Sequence, residues 1–217
     1  MNETEQYILT ITEPEDPLLT ELVRETHLKT LNPRMLAGHL QGKILETLSR
    51  MIRPQRILEI GTFTGYSTIC LAKGLQPDGR LHTIEKEDEL QPISSKYFTN
   101  AGLNDIIICY TGNALDIIPT ISDTFDLIYI DGDKREYCQY YELCINKLRP
   151  GGVMLADNIL WNGKVVQLSD RDRRTAGMLQ FNSMVSADPR VSQVILPLRD
   201  GLMLILKKQV PKIFAGQ

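Results

Sequence analysis

The stretch Arg56-Ile57-Leu58-Glu59-Ile60-Gly61-Thr62-Phe63-Thr64-Gly65-Tyr66-Ser67 decides the fold. Its first five residues are an apolar run of strand length, and the glycine-bearing loop leads into a helical pattern from Tyr66 to Leu75. Strand, loop and helix in that order make one βα unit, and the unit recurs downstream. Apolar runs at 81–85, 106–110, 125–130 and 153–156 alternate with helical patterns at 87–100, after the 125–130 run to about 148, and at 171–187. This alternation predicts a doubly wound α/β sheet. Runs at 191–198 and 202–207 flank Arg199-Asp200-Gly201, which predicts a hairpin and an antiparallel last strand. Upstream, Asn32-Pro33 reads as a helix start, Leu40, Ile44, Leu45, Leu48 and Ile52 share one helix face, and Pro54 ends it. The first 30 or so residues read as helical but weakly patterned.

Composition supports a single globular domain over residues 1–217: the chain has 42% hydrophobic and 24% charged residues, which excludes disordered, collagen-like and disulfide-stapled classes. A net charge of −3 argues against a protein that coats nucleic acid. Cys70, Cys109, Cys138 and Cys144 form no CxxC pair and read as free core thiols, while His27, His39 and His82 lack metal-ligand spacing. The acidic N-terminus is unlike a secretory signal and no apolar run approaches 18 residues, so a soluble cytoplasmic protein is expected.

In an open α/β sheet, ligands sit at the carboxyl ends of the strands. There the first strand carries Glu-x-Gly-x-x-x-Gly (59–65), without the third glycine that lets a backbone approach a pyrophosphate. That suits a nucleoside without phosphates. Glu85, 20 residues beyond Gly65, is placed to accept two ribose hydroxyls. The plainer alternative is that Gly61 only turns the chain and Glu85 caps a helix. Asp131, Asp157 and Asn158 offer three hard oxygen donors that suit Mg²⁺ or Ca²⁺, although Asp and Asn are also the favoured helix caps. Lys134 follows Asp131 by three residues. A lysine beside a cation and a carboxylate can serve as a base; its commoner fate is a solvated surface charge.

These residues resemble the class I, S-adenosylmethionine-dependent, cation-dependent O-methyltransferases, the group containing the caffeoyl-CoA and catechol enzymes. The likeness rests on LEIGTFTGYS (58–67), TIEK (83–86), GNALD (112–116), FDLIYIDGDKREY (125–137), PGGVMLADNILWNGKV (150–165) and ADPRVSQVILPLRDGLML (187–204). It spans about Met35 to Lys207. The resemblance implies a Rossmann-like sheet of seven strands, mostly parallel with a C-terminal antiparallel hairpin strand. It also implies S-adenosylmethionine as cofactor and methyl transfer to a hydroxyl oxygen of a small, aromatic vicinal-diol acceptor. Glu59, Gly61, Thr62, Phe63, Gly65, Tyr66 and Ser67 would shape the cofactor loop. Glu85, with Lys86 beside it, would bind the ribose, Asn113 and Ala114 would flank the adenine, and Asp133 would contact the cofactor amine. Met35, Ala37 and Gly38 would close over the methionine end, with residues 1–52 as a helical cap. Asp131, Asp157 and Asn158 correspond to the ligands of a divalent cation (Mg²⁺ first, then Ca²⁺ or Mn²⁺), and Lys134, with Asp131, to the catalytic pair. Where animal catechol enzymes carry a glutamate, this chain has Val194 and Ile195. A homodimer is expected from the same likeness. Two alternatives stand beside this reading. One is a tRNA 5-hydroxyuridine O-methyltransferase gripping RNA with Lys164, Arg171, Arg173 and Arg174; the other is a cofactor-binding protein without turnover.

Overall fold

A computed structural model describes residues 3–167 and 172–209. Two helices, α1 (Glu3–Ile11) and α2 (Pro17–Lys29), precede a short 3-10 turn (Pro33–Met35) and α3 (His39–Ile52). The central units are β1 (Arg56–Ile60), α4 (Tyr66–Ala72), β2 (Arg80–Glu85), α5 (Gln91–Asn100), β3 (Ile107–Thr111) and α6 (Ala114–Ile117). Then come β4 (Phe125–Ile130), α7 (Tyr137–Lys147), β5 (Leu148–Ala156), α8 (Arg173–Ala187), β6 (Val191–Leu196) and β7 (Leu202–Lys207). The seven strands make one sheet of order β3-β2-β1-β4-β5-β7-β6. β7 alone runs against the direction of the other six strands, as the Asp-Gly hairpin requires. The order reverses between β1 and β4, which places the ligand crevice there.

Alternation along each strand divides the core in two. Leu58, Ile60, Ile128 and Ile130 face one layer with Tyr137 and Tyr141 of α7 and Phe181 of α8. Ile57, Leu127, Tyr129 and Leu155 face the other, with Leu45, Tyr66 and Ile69. With helices on both faces, parallel strands become near-continuous apolar runs, which is why 57–60 and 127–130 carry so little polarity. Glu59 is the exception and is fully buried on the α4 side.

Several boundaries differ from expectation. The helix read from Asn32-Pro33 begins only at His39, because Gly38 takes φ 77° and separates the 3-10 turn from α3. The Pro150-Gly151-Gly152 turn is instead an irregularity inside β5: Phe125 pairs with Leu148 but Leu127 with Val153, with Gly151 at φ 76°. The N-terminal segment is not peripheral throughout. α1 buries nothing, but α2 sets Leu19, Leu22 and Thr26 into the core, where Thr26 donates to Thr64 at 3.0 Å. Cys109 is exposed rather than a core thiol, since β3 is an edge strand with little cover; all four cysteines are free. Among the described residues no helix is long and apolar enough to cross a membrane.

Candidate active site

The strand ladders continue one residue past the strands and fix the floor of the site. Gly61 donates its N–H to Ile84 O at 2.9 Å, Asp131 to Ile60 O at 2.9 Å, Asp157 to Ile130 O at 3.0 Å and Gly112 to Glu85 O at 2.8 Å. These loop residues therefore stand side by side along the carboxyl edge. Above them opens a cavity of about 630 Å³, of the size that takes a drug-sized ligand.

One end of the cavity presents the Glu85 carboxylate. The Glu85 carboxylate accepts the backbone N–H of Phe63 at 2.6 Å, of Lys86 at 2.8 Å and of Glu87 at 3.0 Å, which fixes both oxygens on the wall. Phe63 reaches it by adopting φ 50°, a conformation rare for a bulky residue. Gly61 has a more specific reason than a turn: at φ 99°, a Cβ there would stand 2.4 Å from the Asp131 carbonyl oxygen. Met35, Ala37, Lys86, Asn113, Ala114 and Asp133 line the same cavity. Asn113 also caps α6 through Leu115 N–H at 3.0 Å, so capping and wall position coincide. Asp133 is engaged by Arg135, whose guanidinium holds its carboxyl down to about 2.

The rest of the expected cofactor loop lies beneath or away from the wall. Glu59 accepts from Ser67 at 2.6 Å, Thr68 at 2.5 Å and Thr83 at 2.6 Å, and Thr62 is within 2.6 Å of Thr83, so these groups brace the loop from below. Gly65, at φ 93°, presses against Phe98 and starts α4. Tyr66 turns away altogether and donates to Glu15 at 2.6 Å.

Burial pushes the Glu59 carboxyl up to about 7 from its ordinary 4.5, against the lowering effect of its three hydroxyl donors. The folded state thus binds this proton more tightly than the unfolded chain. The resulting stability is complete below pH 4.5 and is lost as pH rises through about 7. Glu59→Gln is expected to flatten the fall of urea-unfolding free energy across that window; an unchanged slope assigns it to other groups.

The other end of the cavity gathers Asp131, Asp157, Asn158 and Lys134. Lys134 Nζ donates to Asp131 Oδ1 at 2.7 Å and to the Tyr137 hydroxyl at 2.7 Å. Tyr137 lies within 3.0 Å of the Asp157 carbonyl oxygen and 3.2 Å of that of Ile130, tying the lysine to two strand ends. α8 backs this loop, with Gly177 so close that a Cβ would stand 2.6 Å from Lys134 O. The Asp131 side chain keeps 23% of its surface open to the cavity, with protein on its other sides. Burial pushes its carboxyl up to about 6, with Lys134 opposing and the like charge of Asp157 adding. Asn158 adopts φ 58°, which asparagine tolerates better than most residues.

Two carboxylates close enough to repel, one of them paired with Lys134, fit a hard divalent cation, the more so beside Asn158, whose side-chain amide makes no hydrogen bond among the described residues. Among the described residues no group of three His, Cys, Asp or Glu side chains is placed to hold a metal ion, so a cation here would need the Asn158 amide oxygen as its third protein donor. Sequence spacing gave no sign of Gln41, Tyr129 or Arg199, which surround this end through contacts distant in the chain, nor of Tyr137, which meets Lys134 from one turn away. The four basic residues of the alternative RNA-binding reading have separate placements. Lys164 pairs with Asp172 at 3.2 Å, Arg174 lines the cavity, Arg173 is exposed and Arg171 lies outside the described residues.

A seven-stranded sheet of this order, with a diol-ready carboxylate and an acidic floor at its switch point, defines a Rossmann-like methyltransferase. Residues 9–208 match the family model described as O-methyltransferase, and the chain belongs to that family: it is an O-methyltransferase. It is 35% identical over 185 residues to a catechol O-methyltransferase of Niastella koreensis, covering 81% of this chain and 84% of the relative. It is 32% identical to a caffeoyl-CoA O-methyltransferase of Eucalyptus gunnii, covering 94% and 87%. In structure it is similar to the O-methyltransferase TomG of Streptomyces achromogenes, solved with S-adenosylmethionine. There the TM-score is 0.89 and the identity 31%, covering 96% of this chain and all of that one.

Proposed function

We propose that this O-methyltransferase moves the methyl group of S-adenosylmethionine to a hydroxyl oxygen of a small aromatic acceptor with two adjacent hydroxyls, aided by a divalent cation. The observation that carries this is the single cavity with Glu85 at one end and the Asp131–Lys134–Asp157 group at the other. Glu85 takes the ribose hydroxyls, Asn113 and Ala114 flank the adenine, and Met35 and Ala37 close over the methionine end as part of the 1–52 cap. Asp131, Asp157 and Asn158 hold the cation, Mg²⁺ by the hardness of their oxygens. When bound it polarises the acceptor hydroxyl and lowers its pKa, as a Lewis acid does for water.

Lys134 takes the proton. A neutral amine has two N–H bonds and one lone pair, and the two acceptors in place, Asp131 and Tyr137, use both N–H bonds. The lone pair is left for the acceptor hydroxyl. The cavity then contributes mainly by holding the oxygen in line with the sulfonium methyl. A homodimer, which rests on family likeness, and a cytoplasmic location belong to the same proposal.

Methyl transfer from labelled cofactor to a panel of catechols, caffeoyl thioesters, flavonoids and hypomodified tRNA tests the acceptor class. Labelling of tRNA alone would replace this reading by the wobble-uridine one. Glu85→Ala is expected to weaken S-adenosylhomocysteine binding by about 1–3 kcal/mol in calorimetry, the usual loss for a charged hydrogen bond. Unchanged affinity would take the ribose off this residue.

A further inference from the structure

Asp157 is 3% exposed, and three donors within the protein set its orientation. Its Oδ2 accepts Gln41 Nε2 at 2.5 Å and the Tyr129 hydroxyl at 3.0 Å, while Oδ1 accepts the N–H of Asn158 at 2.7 Å. A carboxylate has about four acceptor positions, so about one remains, and the other three fix its direction. Gln41 comes from the first turn of α3 and is itself buried. Its Oε1 accepts Arg199 Nη1 at 3.1 Å. A guanidinium only donates, so Arg199 fixes the amide with its oxygen outward and its nitrogen on Asp157. The same Nη1 donates to the carbonyl oxygens of Leu36, at 3.2 Å, and Ala37. Met35 and Ala37 belong to the cavity wall. Arg199 holds these three acceptors from φ 48°, a conformation its side chain disfavours.

A continuous path of hydrogen bonds therefore runs from the wall at 36–37 through Arg199 and Gln41 to the Asp157 carboxylate. We infer that Gln41 is a positioning residue for Asp157. Arg199, through Gln41, makes the carboxylate's orientation depend on where the 36–37 wall sits. This rests on the proposed reading of Asp157 as a cation ligand and Met35–Ala37 as the methionine-end closure. The consequence is reciprocal coupling: a donor settled against the wall tightens cation binding, and the cation tightens donor binding by the same factor.

Trp161 is the only tryptophan of the chain and lines the cavity, so its fluorescence reports the site without any turnover. Titrations use Mn²⁺, with and without S-adenosylhomocysteine. In the unaltered protein S-adenosylhomocysteine is expected to tighten Mn²⁺ binding at least about fivefold. Gln41→Met is expected to weaken Mn²⁺ about 10–100-fold, while S-adenosylhomocysteine affinity without metal stays within about twofold. Arg199→Lys keeps the charge near Asp131, but its side chain is one bond shorter, so its ammonium stops short of the point where Nη1 meets the Leu36, Ala37 and Gln41 oxygens. It is expected to retain Mn²⁺ binding and lose the enhancement by S-adenosylhomocysteine. Unchanged Mn²⁺ affinity in Gln41→Met, or undiminished coupling in Arg199→Lys, overturns the inference. If Gln41→Met does not fold, Arg199→Lys decides alone. An unaltered protein that binds S-adenosylhomocysteine but no Mn²⁺ overturns the cation reading itself, a result distinct from either variant's failure.

Discussion

Lys134→Ala is expected to slow methyl transfer by about 10²–10⁴-fold at neutral pH, the contribution of a positioned general base. S-adenosylhomocysteine affinity should stay near that of the unaltered protein, because Glu85 and the Phe63 loop lie at the other end of the cavity. The deficit should shrink as pH rises towards the range where the acceptor hydroxyl ionises unaided. Rate–pH profiles of both proteins with one catechol acceptor supply the measurement. A constant ratio across pH would mean that the lysine orients Asp131 through its 2.7 Å contact rather than taking the proton. Wild-type rate at neutral pH would remove it from the mechanism. Tyr137→Phe separates these roles further, since it frees one N–H of the amine while leaving the Asp131 contact in place.

Chelation should act as strongly. EDTA is expected to abolish transfer, and Mg²⁺ or another hard divalent ion to restore it. Asp157→Ala should lose that response while retaining cofactor binding. It leaves the Gln41 amide and the Tyr129 hydroxyl without their buried acceptor, a loss of about 1–3 kcal/mol of stability. Melting curves must therefore accompany the kinetics. Full activity in chelator would take the cation out of the reaction, leaving Asp131 and Asp157 as structural carboxylates.

Legibility in the sequence depended on whether the signal was local. The β1 loop, the Glu85 position and the Asp131–Lys134 spacing each announce themselves within a few residues, since a strand end fixes the place of the residues just beyond it. The turn at Gly61 is readable too. Its deeper cause is not, because the Asp131 backbone that excludes a side chain comes from another strand. Ser67 and Tyr66 show the opposite failure. They stand in the right loop, but the start of α4 points one at Glu59 and the other at Glu15, away from the wall. Gln41 and Arg199 meet Asp157 and the 36–37 segment only because α3 crosses the β4–β5 face and the hairpin folds back over it. No spacing encodes such a meeting.

The continuation of the strand ladders past Ile60, Ile130 and Ala156 also ranks the parts of the site by durability. Gly61, Asp131 and Asp157 hang on amides that share the ladders of the three central strands, so exposing them requires opening the middle of the sheet. Farther out, Asp200 pins Leu160 and Asn162 from the hairpin turn, but Gly163 and Gln167 are held by bonds to carbonyls only three residues back, which can fray one turn at a time. Under mild heating or denaturant, residues 163–167 should therefore loosen while the floor along the carboxyl edge persists.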